Sequence, residues 1–252
     1  MLNEERRYKI QELLAKKRRV LVNEIAKSFG ISKVTIRKDL EILERRGILT
    51  RVHGGAILNQ SSITDLALTE KERINPKLKE RIAQKAETMI DTGDVIILDS
   101  GSTTTYIAKR IKYKKDFTII TNALNIASEL AASEIELILV GGILREKSFS
   151  LVGPLADEGL RNLTADKLFL GVDGIHFDFG LTTPNMLEAK VNQLMIKAAS
   201  KVILVADSSK FGRRSLGVIS DISSVDVVIT DNNAADQDIY RIKQMGIQVF
   251  TV

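Results

Sequence analysis

The sequence contains no cysteine, and this absence excludes several kinds of site at once. Without thiols the chain has no disulfide, no thiolate metal ligand and no cysteine nucleophile. The two histidines, His53 and His176, lie too far apart in the sequence for the short spacings typical of zinc ligands. The nucleotide-binding motifs G-x-x-x-x-G-K-[ST] and G-x-G-x-x-G and the hydrolase motif G-x-S-x-G are also absent. We therefore expect no metal and no cofactor.

Long apolar runs are missing as well. No uncharged apolar stretch approaches the roughly 20 residues that span a bilayer. The first residues, MLNEERRYKIQELL, lack the apolar core and small-residue cleavage site of a signal peptide. We expect a cytoplasmic protein without membrane contact, and the missing cysteines fit a reducing compartment.

Positive charge is concentrated at one end of the chain. The 252 residues have a formal net charge of +5, but residues 1–60 hold 14 Lys and Arg against 7 Asp and Glu. The remaining residues hold 23 Lys and Arg against 25 Asp and Glu. A basic segment joined to a near-neutral one suggests a nucleic-acid module, because phosphate neutralisation supplies most non-specific affinity. A pair of solvated amphipathic helices would have the same composition, so the decision rests on motifs.

The basic segment has the pattern of a helix-turn-helix. Apolar periodicity predicts helices over 3–16, over 22–29 and over 33–46. Between the second and third helices, Gly30 can adopt the left-handed conformation that ends a helix, and Ser32 can cap the next one.

The exposed side of the third helix carries basic and hydroxyl side chains. The first turns of such a helix can reach base edges in the major groove while flanking side chains hold phosphates. After Gly47, two short strands at 48–52 and 56–58 flank a His-Gly-Gly hinge, which indicates a wing. For His53 we predict contact with the DNA backbone only. The predicted DNA-binding residues are Ser32, Lys33, Thr35, Arg37, Lys38, Arg51, His53, Gly54 and Gly55.

The rest of the chain has the pattern of an α/β domain. Residues 59–77 are polar without a clear period, which predicts a linker between a DNA-binding domain at 1–58 and a larger domain at 78–252. Apolar runs that do not alternate with polar residues then recur between helical stretches, as in a mainly parallel sheet covered on both faces. The candidate strands are 95–98, 118–120, 137–140, 167–170, 202–205, 227–229 and 248–250.

Polar residues follow several of these strands, where open α/β sheets bind ligands. Residues 99–105, Asp-Ser-Gly-Ser-Thr-Thr-Thr, lead into a helix whose free amides and dipole favour an anion. One hydroxyl would suffice as a cap, so five around Gly101 favour phosphate, with simple helix capping as the alternative. The rim continues at other strand ends with Thr121-Asn122, Gly141-Gly142, Asp173-Gly174 and residues 207–210. Lys210 is the main cation candidate.

Residues 32–40, Ser-Lys-Val-Thr-Ile-Arg-Lys-Asp-Leu, together with Leu43-Glu44, Gly47 and residues 51–56, closely resemble the DNA-binding signature of the DeoR family of bacterial transcription regulators. The likeness continues nearly to the C-terminus. It implies a small α+β winged helix-turn-helix domain followed by a larger α/β domain similar to ribose-5-phosphate isomerase and CoA transferase folds. It also implies a sugar-phosphate effector, bound by a phosphate loop of Asp99, Gly101, Ser102, Thr103 and Thr104 and, around the sugar, by Thr121, Asn122, Gly141, Gly142, Asp173, Glu188 and Lys210.

Three functions are compatible with these features. We predict a regulator without enzymatic activity, by resemblance a repressor of a carbohydrate-utilisation operon, that binds double-stranded operator DNA and responds to a phosphorylated sugar. Symmetric operators favour a homo-oligomer, either a dimer or a tetramer. The alternative is a sugar-phosphate isomerase-like or deaminase-like enzyme fused to a DNA-binding head, with Asp173 or Glu188 as acid or base. A purely architectural DNA binder would leave the polar rim without a purpose.

Overall fold

The computed structural model describes residues 6–7, 9–10, 13–14, 19–45, 49–58 and 65–252. The chain divides into two compact units, Met1–Thr64 and Asp65–Val252. Among the described residues, no helix is both long and apolar enough to cross a lipid bilayer.

The smaller unit is a winged helix-turn-helix, as predicted. Residues 6–7, 9–10 and 13–14 are helical, and the other positions of the predicted first helix lie outside the described residues. The strands form one antiparallel sheet in the order β1-β3-β2. The elements that follow the first helix are β1 (Arg19–Leu21), α1 (Val22–Phe29), α2 (Lys33–Arg45), β2 (Leu49–Val52) and β3 (Gly55–Leu58).

The turn between α1 and α2 has the predicted geometry. Gly30 has φ 65° and ψ 33°, the left-handed conformation, and its N–H donates to the carbonyl of Ala26. The predicted end of α2 at 46–47 and the first residue of the wing, Ile48, lie outside the described residues. Apolar side chains from the helices and the sheet form the core of this unit: Ile10, Leu14, Ile25, Ile36, Leu40, Leu43 and Leu49 are at most 2% exposed.

The larger unit is built on a seven-stranded sheet in which every neighbouring pair is parallel. Its order is β15-β14-β12-β9-β4-β5-β6. Apolar clusters cover both faces, which explains why the strands lack alternation. Each predicted strand overlaps one of these: β4 (Val95–Leu98), β5 (Thr118–Thr121), β6 (Glu136–Leu139), β9 (Ala165–Leu170), β12 (Ala199–Val205), β14 (Val227–Thr230) and β15 (Gln248–Thr251).

Two smaller antiparallel pieces are additions that the sequence pattern did not predict, because strands of three or four residues carry too little periodicity. One is the hairpin of β7 (Ile143–Arg145) and β8 (Ser150–Val152). The other has the order β10-β11-β13, with β10 (Gly174–His176), β11 (Gly180–Thr183) and β13 (Gly217–Ser220).

Helices α3 (Leu68–Arg73) and α4 (Pro76–Glu87) open this unit in chain order. Residues 65–77, predicted to be linker, therefore belong to the larger unit and are mostly helical. A six-residue helix is too short to show a period, and its apolar contact is made by Leu68, which is 3% exposed. The later helices are α5 (Ser102–Ile111), α6 (Leu124–Leu130), α7 (Pro154–Arg161), α8 (Met186–Ala198) and α9 (Asp236–Gln244).

Candidate functional site

Helix α2 presents the predicted DNA-binding surface at its first turns. Ser32 acts as its N-terminal cap, because Oγ accepts from the N–H of Thr35 at 3.2 Å and lies 2.8 Å from Thr35 Oγ1. The side chains of Lys33, Arg37 and Lys38 are exposed. The hydroxyls are thus engaged with each other, and the three basic side chains are free to face phosphate or base edges.

Val34 is a residue of this surface that the sequence analysis missed. It is 73% exposed, although it is apolar and lies between Lys33 and Thr35. Its position off the buried stripe of Ile36 and Leu40 was the available signal. An exposed aliphatic side chain at the start of a recognition helix can contact the methyl group of thymine, the one apolar group in the major groove.

The wing residues fall into two groups. Arg51, His53 and Gly54 are exposed, but Arg51 is also bound to α2, because its Nε and its N–H donate to the carboxylate of Glu44 at 2.7 and 2.8 Å. Gly55 is buried where β3 meets β1, and a Cβ there would lie 2.2 Å from the carbonyl oxygen of Val20. Gly55 therefore lies inside the sheet, and close packing of two strands accounts for this glycine.

The larger unit contains a cleft at the carboxyl ends of β4, β9 and β12, as expected for an open α/β sheet. Its empty volume is about 600 Å³, part of which is open to solvent. It is lined by Leu66, Leu68, Lys71, Asp99, Ser100, Gly101, Ser102, Thr103, Ser148, Gly171, Val172, Asp173, Thr183, Glu188, Asn192, Val205, Ala206 and Lys210. Seven of the predicted effector-binding residues are among these: Asp99, Gly101, Ser102, Thr103, Asp173, Glu188 and Lys210.

The N-terminus of α5 faces this cleft, but only part of its hydroxyl cluster does. Ser100, Ser102 and Thr103 line the cleft. Thr104 Oγ1 donates to the carbonyls of Asp99 and Gly101, and Thr105 Oγ1 also donates to Gly101. Hydrogen bonds to nearby backbone carbonyls therefore account for two of the five hydroxyls, those of Thr104 and Thr105, and the first amides of α5 remain as anion donors.

Asp99 is a buried carboxyl in the floor of the cleft. Its Oδ1 accepts from Asn192 Nδ2 at 3.0 Å and its Oδ2 accepts from the N–H of Gly171 at 3.1 Å. Burial raises the pKa of Asp99 to about 6, and the negative charge of Glu188 acts in the same direction, against these hydrogen bonds. Asn192 was missed, since nothing in the sequence near α8 marks it as a partner of Asp99.

Two lysines share one carboxylate on another side of the cleft. Nζ of Lys71 lies 2.9 Å from the carboxylate of Asp173, and Nζ of Lys210 lies 3.6 Å from its Oδ1. Burial alone would raise the pKa of Asp173, but the two lysine charges outweigh it and the pKa is lowered. Lys71 was missed because it lies in the stretch predicted to be linker.

Glu188 is held by basic and hydroxyl partners. Its Oε1 accepts from Ser150 Oγ at 2.9 Å and from Arg145 Nη1 at 3.2 Å. Asn185 caps α8 and accepts from the N–H of Glu188, which directs this side chain inward. The position of Glu188 is therefore set by the helix cap at Asn185 and by the partners Arg145 and Ser150 on the β7–β8 hairpin.

Five predicted effector-binding residues do not line the cleft. Thr104 Oγ1 donates to the carbonyls of Asp99 and Gly101, Thr121 Oγ1 donates to that of Leu98, and Asn122 Nδ2 donates to that of Leu151. Gly141 and Gly142 follow β6, the edge strand beyond β5. The physical reason is strand order, because the ends of β5 and β6 lie on the far side of β4 from β9 and β12.

The described residues contain no group of three or more His, Cys, Asp or Glu side chains that could hold a metal ion. The cleft instead offers amides, hydroxyls, two ammonium groups and buried carboxylates. This set can bind both an anion and polar hydroxyl groups.

Two family models match the chain. The DeoR-like helix-turn-helix domain matches residues 6–62, and the DeoR C terminal sensor domain matches residues 74–232.

Several curated proteins are similar over nearly the whole chain. A protein of Escherichia coli named as a transcriptional repressor of the aga operon is 38% identical over 98% of this chain and 93% of its own length. The HTH-type transcriptional regulator GlpR of Haloferax volcanii is 38% identical over 99% of this chain and 98% of its own. The glycerol-3-phosphate regulon repressor of Escherichia coli is 33% identical over 88% of each chain.

Solved structures resemble the chain more distantly. Ribose 5 phosphate isomerase A from Neisseria gonorrhoeae is 16% identical, with a TM-score of 0.41, over 55% of this chain and 54% of its own. The translation initiation factor eIF-2B of Pyrococcus horikoshii has a TM-score of 0.40 and 25% identity over 57% of this chain and 50% of its own.

Proposed function

The chain belongs to the DeoR family of transcriptional regulators, and from this premise we propose that it represses a carbohydrate-utilisation operon under the control of a phosphorylated sugar. The smaller unit binds operator DNA, and the cleft of the larger unit binds the effector. Relatives named as repressors of the aga operon and of the glycerol-3-phosphate regulon support the carbohydrate assignment.

On the DNA side, the first turns of α2 enter the major groove. Lys33, Arg37 and Lys38 supply the positive charge that neutralises phosphates or reaches guanine edges. Val34 supplies an apolar contact. The exposed wing residues His53 and Gly54 approach the DNA backbone.

On the effector side, the observation that carries the proposal is that one cleft combines groups that favour an anion with groups that bind hydroxyls. The N-terminus of α5 and the ammonium groups of Lys71 and Lys210 favour a phosphate group. Asp99, with Asn192 beside it, offers the carboxylate and amide atoms that recognise sugar hydroxyls. A phosphorylated sugar carries both kinds of group.

The enzyme alternative is not favoured. The relatives that match nearly the full chain are named as transcriptional regulators. Glu188, one of the two acid-base candidates, already accepts hydrogen bonds from Arg145 and Ser150, and Asp173 is paired with two lysines.

We further propose that the protein acts as a homo-oligomer. One recognition helix reads one half-site, and helix-turn-helix proteins bind two half-sites through a two-fold symmetric arrangement. Sedimentation of the purified chain, alone and with DNA, distinguishes a dimer from a tetramer.

Thermal melting tests the effector assignment. The panel contains D-ribose 5-phosphate, D-fructose 1-phosphate, D-glucose 6-phosphate and glycerol 3-phosphate, each beside its unphosphorylated parent. A ligand at 100 times its Kd adds about 2.7 kcal/mol to the free energy of unfolding. We expect a shift with at least one phosphorylated compound only. No shift, or equal shifts with the parent compounds, would contradict the phosphate assignment.

DNA binding is tested by fluorescence anisotropy on duplexes selected from a random library by the protein itself. Arg37→Ala should weaken binding while leaving the melting shifts unchanged. If Arg37 contacts a phosphate, the slope of log K against log salt also falls by about one. Lys115→Ala, which removes an exposed lysine of the larger unit, is the matched control. Equal effects of both substitutions would contradict the assigned surface.

A further inference from the structure

Residues 65–73, which we call the strap, cross one side of the cleft. They are the first part of the larger unit in chain order and directly follow Thr64, the last residue of the DNA-binding unit. Leu66, Leu68 and Lys71 line the cleft. The N–H of Leu68 donates to the carbonyl of Lys147 at 2.7 Å, so the backbone of the strap is bound to the β7–β8 loop.

The first side-chain anchor of the strap is Asp65. It pairs with Arg145, which is also hydrogen-bonded to Glu188 in the cleft wall. Lys147 Nζ lies 3.7 Å from the same carboxylate. The N-terminal end of the strap is therefore connected through Arg145 to Glu188, a side chain of the proposed effector site.

The second side-chain anchor is Lys71, whose Nζ lies 2.9 Å from the carboxylate of Asp173. Lys210 lies beside the same carboxylate, so two ammonium groups share Asp173, and the charges of Glu188 and Asp65 also act on Lys71. The three side chains are only 18–19% exposed, in a setting that screens their charges poorly. An anion entering the cleft would meet two ammonium groups that share one carboxylate.

The far end of the strap is held by a different residue. Nζ of Lys79, on α4, donates to the carbonyls of Lys71 and Ile74 at the end of α3. This contact involves no cleft-lining side chain. A ligand can thus alter the anchors at Asp65 and Lys71 while the C-terminal end of the strap stays in place.

We propose that Lys71 binds the phosphate group of the effector in exchange for Asp173, and that this exchange moves the strap and thereby changes the affinity of the attached DNA-binding unit. The inference rests on the proposed function. A phosphate group carries about −1.5 to −2 charges and three acceptor oxygens, so it is a stronger partner for two lysines than one carboxylate. Because the strap is continuous with residues 1–64, a movement of its N-terminal part acts on the covalent connection to that unit.

A fluorescent label on the strap tests this directly. The chain has no cysteine, so Thr69→Cys, at an exposed position of α3, creates a single labelling site. The probes are inorganic phosphate and the four phosphorylated compounds of the melting panel, with chloride at matched ionic strength as the blank. The emission of the label detects a movement of the strap, and thermal melting detects binding of the phosphorylated compound. Anisotropy on the selected duplex measures the affinity for DNA.

Lys167 provides a matched control for Lys71. It is a similarly enclosed lysine, 14% exposed, paired with Asp91 and Asp94 outside the cleft. We expect Lys71→Met to weaken phosphate-compound binding about tenfold or more, the loss typical of a charged hydrogen bond, and to abolish the emission change and the DNA response. Lys167→Met should behave like the labelled protein without a further substitution, which we call the parent. Lys71→Arg should keep the emission change and the DNA response. Lys71→Gln replaces Lys71→Met if that variant does not fold.

The outcomes separate three failures. If the parent binds no phosphorylated probe, the proposed function fails and this inference fails with it. If the parent binds and responds while Lys71→Met binds equally well and responds equally, the effector site stands and the role of Lys71 is overturned. If Lys71→Met loses binding but the label on the parent never changes its emission, the movement of the strap is overturned.

Discussion

Asn192 Nδ2 donates a hydrogen bond of 3.0 Å to Oδ1 of Asp99, across 93 positions of sequence. The pair lies in the floor of the cleft, where the carboxyl group of Asp99 is buried. Its pKa of about 6 makes it the group in this cleft whose protonation changes near neutral pH. This placement leads to a prediction on the pH dependence of stability.

Asp99 should make the protein less stable as the pH rises from about 4 to about 6. The pKa in the folded chain, about 6, is above the ordinary value of 3.8, so over this range the folded state binds more protons than the unfolded state. Linkage then lowers the free energy of unfolding with rising pH, by up to about 3 kcal/mol. Asp99→Asn should lack this loss. Urea denaturation followed by circular dichroism at pH 4.5, 5.5, 6.5 and 7.5 measures the free energy of unfolding of both proteins.

The difference between the two proteins across pH is the relevant quantity, because asparagine also loses one acceptor at every pH. Asp221→Asn, which changes an exposed carboxyl group, serves as the control and should follow the wild type. If the free energies of unfolding of the wild type and Asp99→Asn changed in parallel with pH, Asp99 would have the same pKa in the folded and unfolded states, against the prediction.

Val34 should recognise a thymine methyl group. In the selected duplex, replacing one thymine at a time by uracil removes one methyl group. At the contacted position we expect the wild type to lose about fourfold in affinity, from about 0.8 kcal/mol per buried carbon, and Val34→Ala to lose clearly less. Val218→Ala, at an exposed valine of the larger unit, should retain the wild-type response. A uracil scan that is identical for Val34→Ala and the wild type would exclude the contact.

Gly142 and Gly141 should differ in their tolerance of a side chain. A Cβ at Gly142 would lie 2.8 Å from the carbonyl oxygen of Val152, whereas at Gly141 no atom lies within 4 Å. Gly142→Ala should lower the free energy of unfolding by about 1–3 kcal/mol, and Gly141→Ala by less than about 0.5 kcal/mol. Both should keep the affinity for phosphorylated compounds, since neither residue lines the cleft. Equal stability of the two variants would argue against the tight contact with β8.

Asp39 should be essential for the stability of the smaller unit. It is 2% exposed and accepts from Arg6 and Arg7, both on the first helical segment. Asp39→Asn removes the buried negative charge that Arg6 and Arg7 share, and weakening hydrogen bonds between charged groups typically costs about 1.5–3 kcal/mol. Hydrogen exchange of the amides in Val22–Phe29 should accelerate accordingly. Glu24→Gln, at an exposed position of α1, is the control, and unchanged exchange in Asp39→Asn would contradict the prediction.

Local patterns in the sequence were sufficient for much of the fold. The stripe of Ile36, Leu40 and Leu43, the left-handed Gly30 and the cap at Ser32 each depend on neighbours within a few residues. The same holds for the non-alternating strands such as β4 and β12. These features predicted a winged helix-turn-helix followed by a parallel α/β sheet, and the structure has both.

The cleft was predictable only in part. Residues directly after β4, β9 and β12 do line it, because the carboxyl ends of parallel strands share one edge of the sheet. Thr121 and Gly142 were grouped with them by the same rule, but the rule does not tell which strands are neighbours. Asn192 and Lys71 carried no local signal at all.

The sequence by itself determined the class of each domain, the basic character of the DNA-binding end and the helix cap at Ser32, since periodicity, charge and capping act over short stretches of chain. Only the tertiary structure decided the lateral order of the strands and the pairs Asp99–Asn192 and Lys71–Asp173. The reason is that these contacts join residues about a hundred positions apart, and they depend on the packing of whole helices and strands against one sheet.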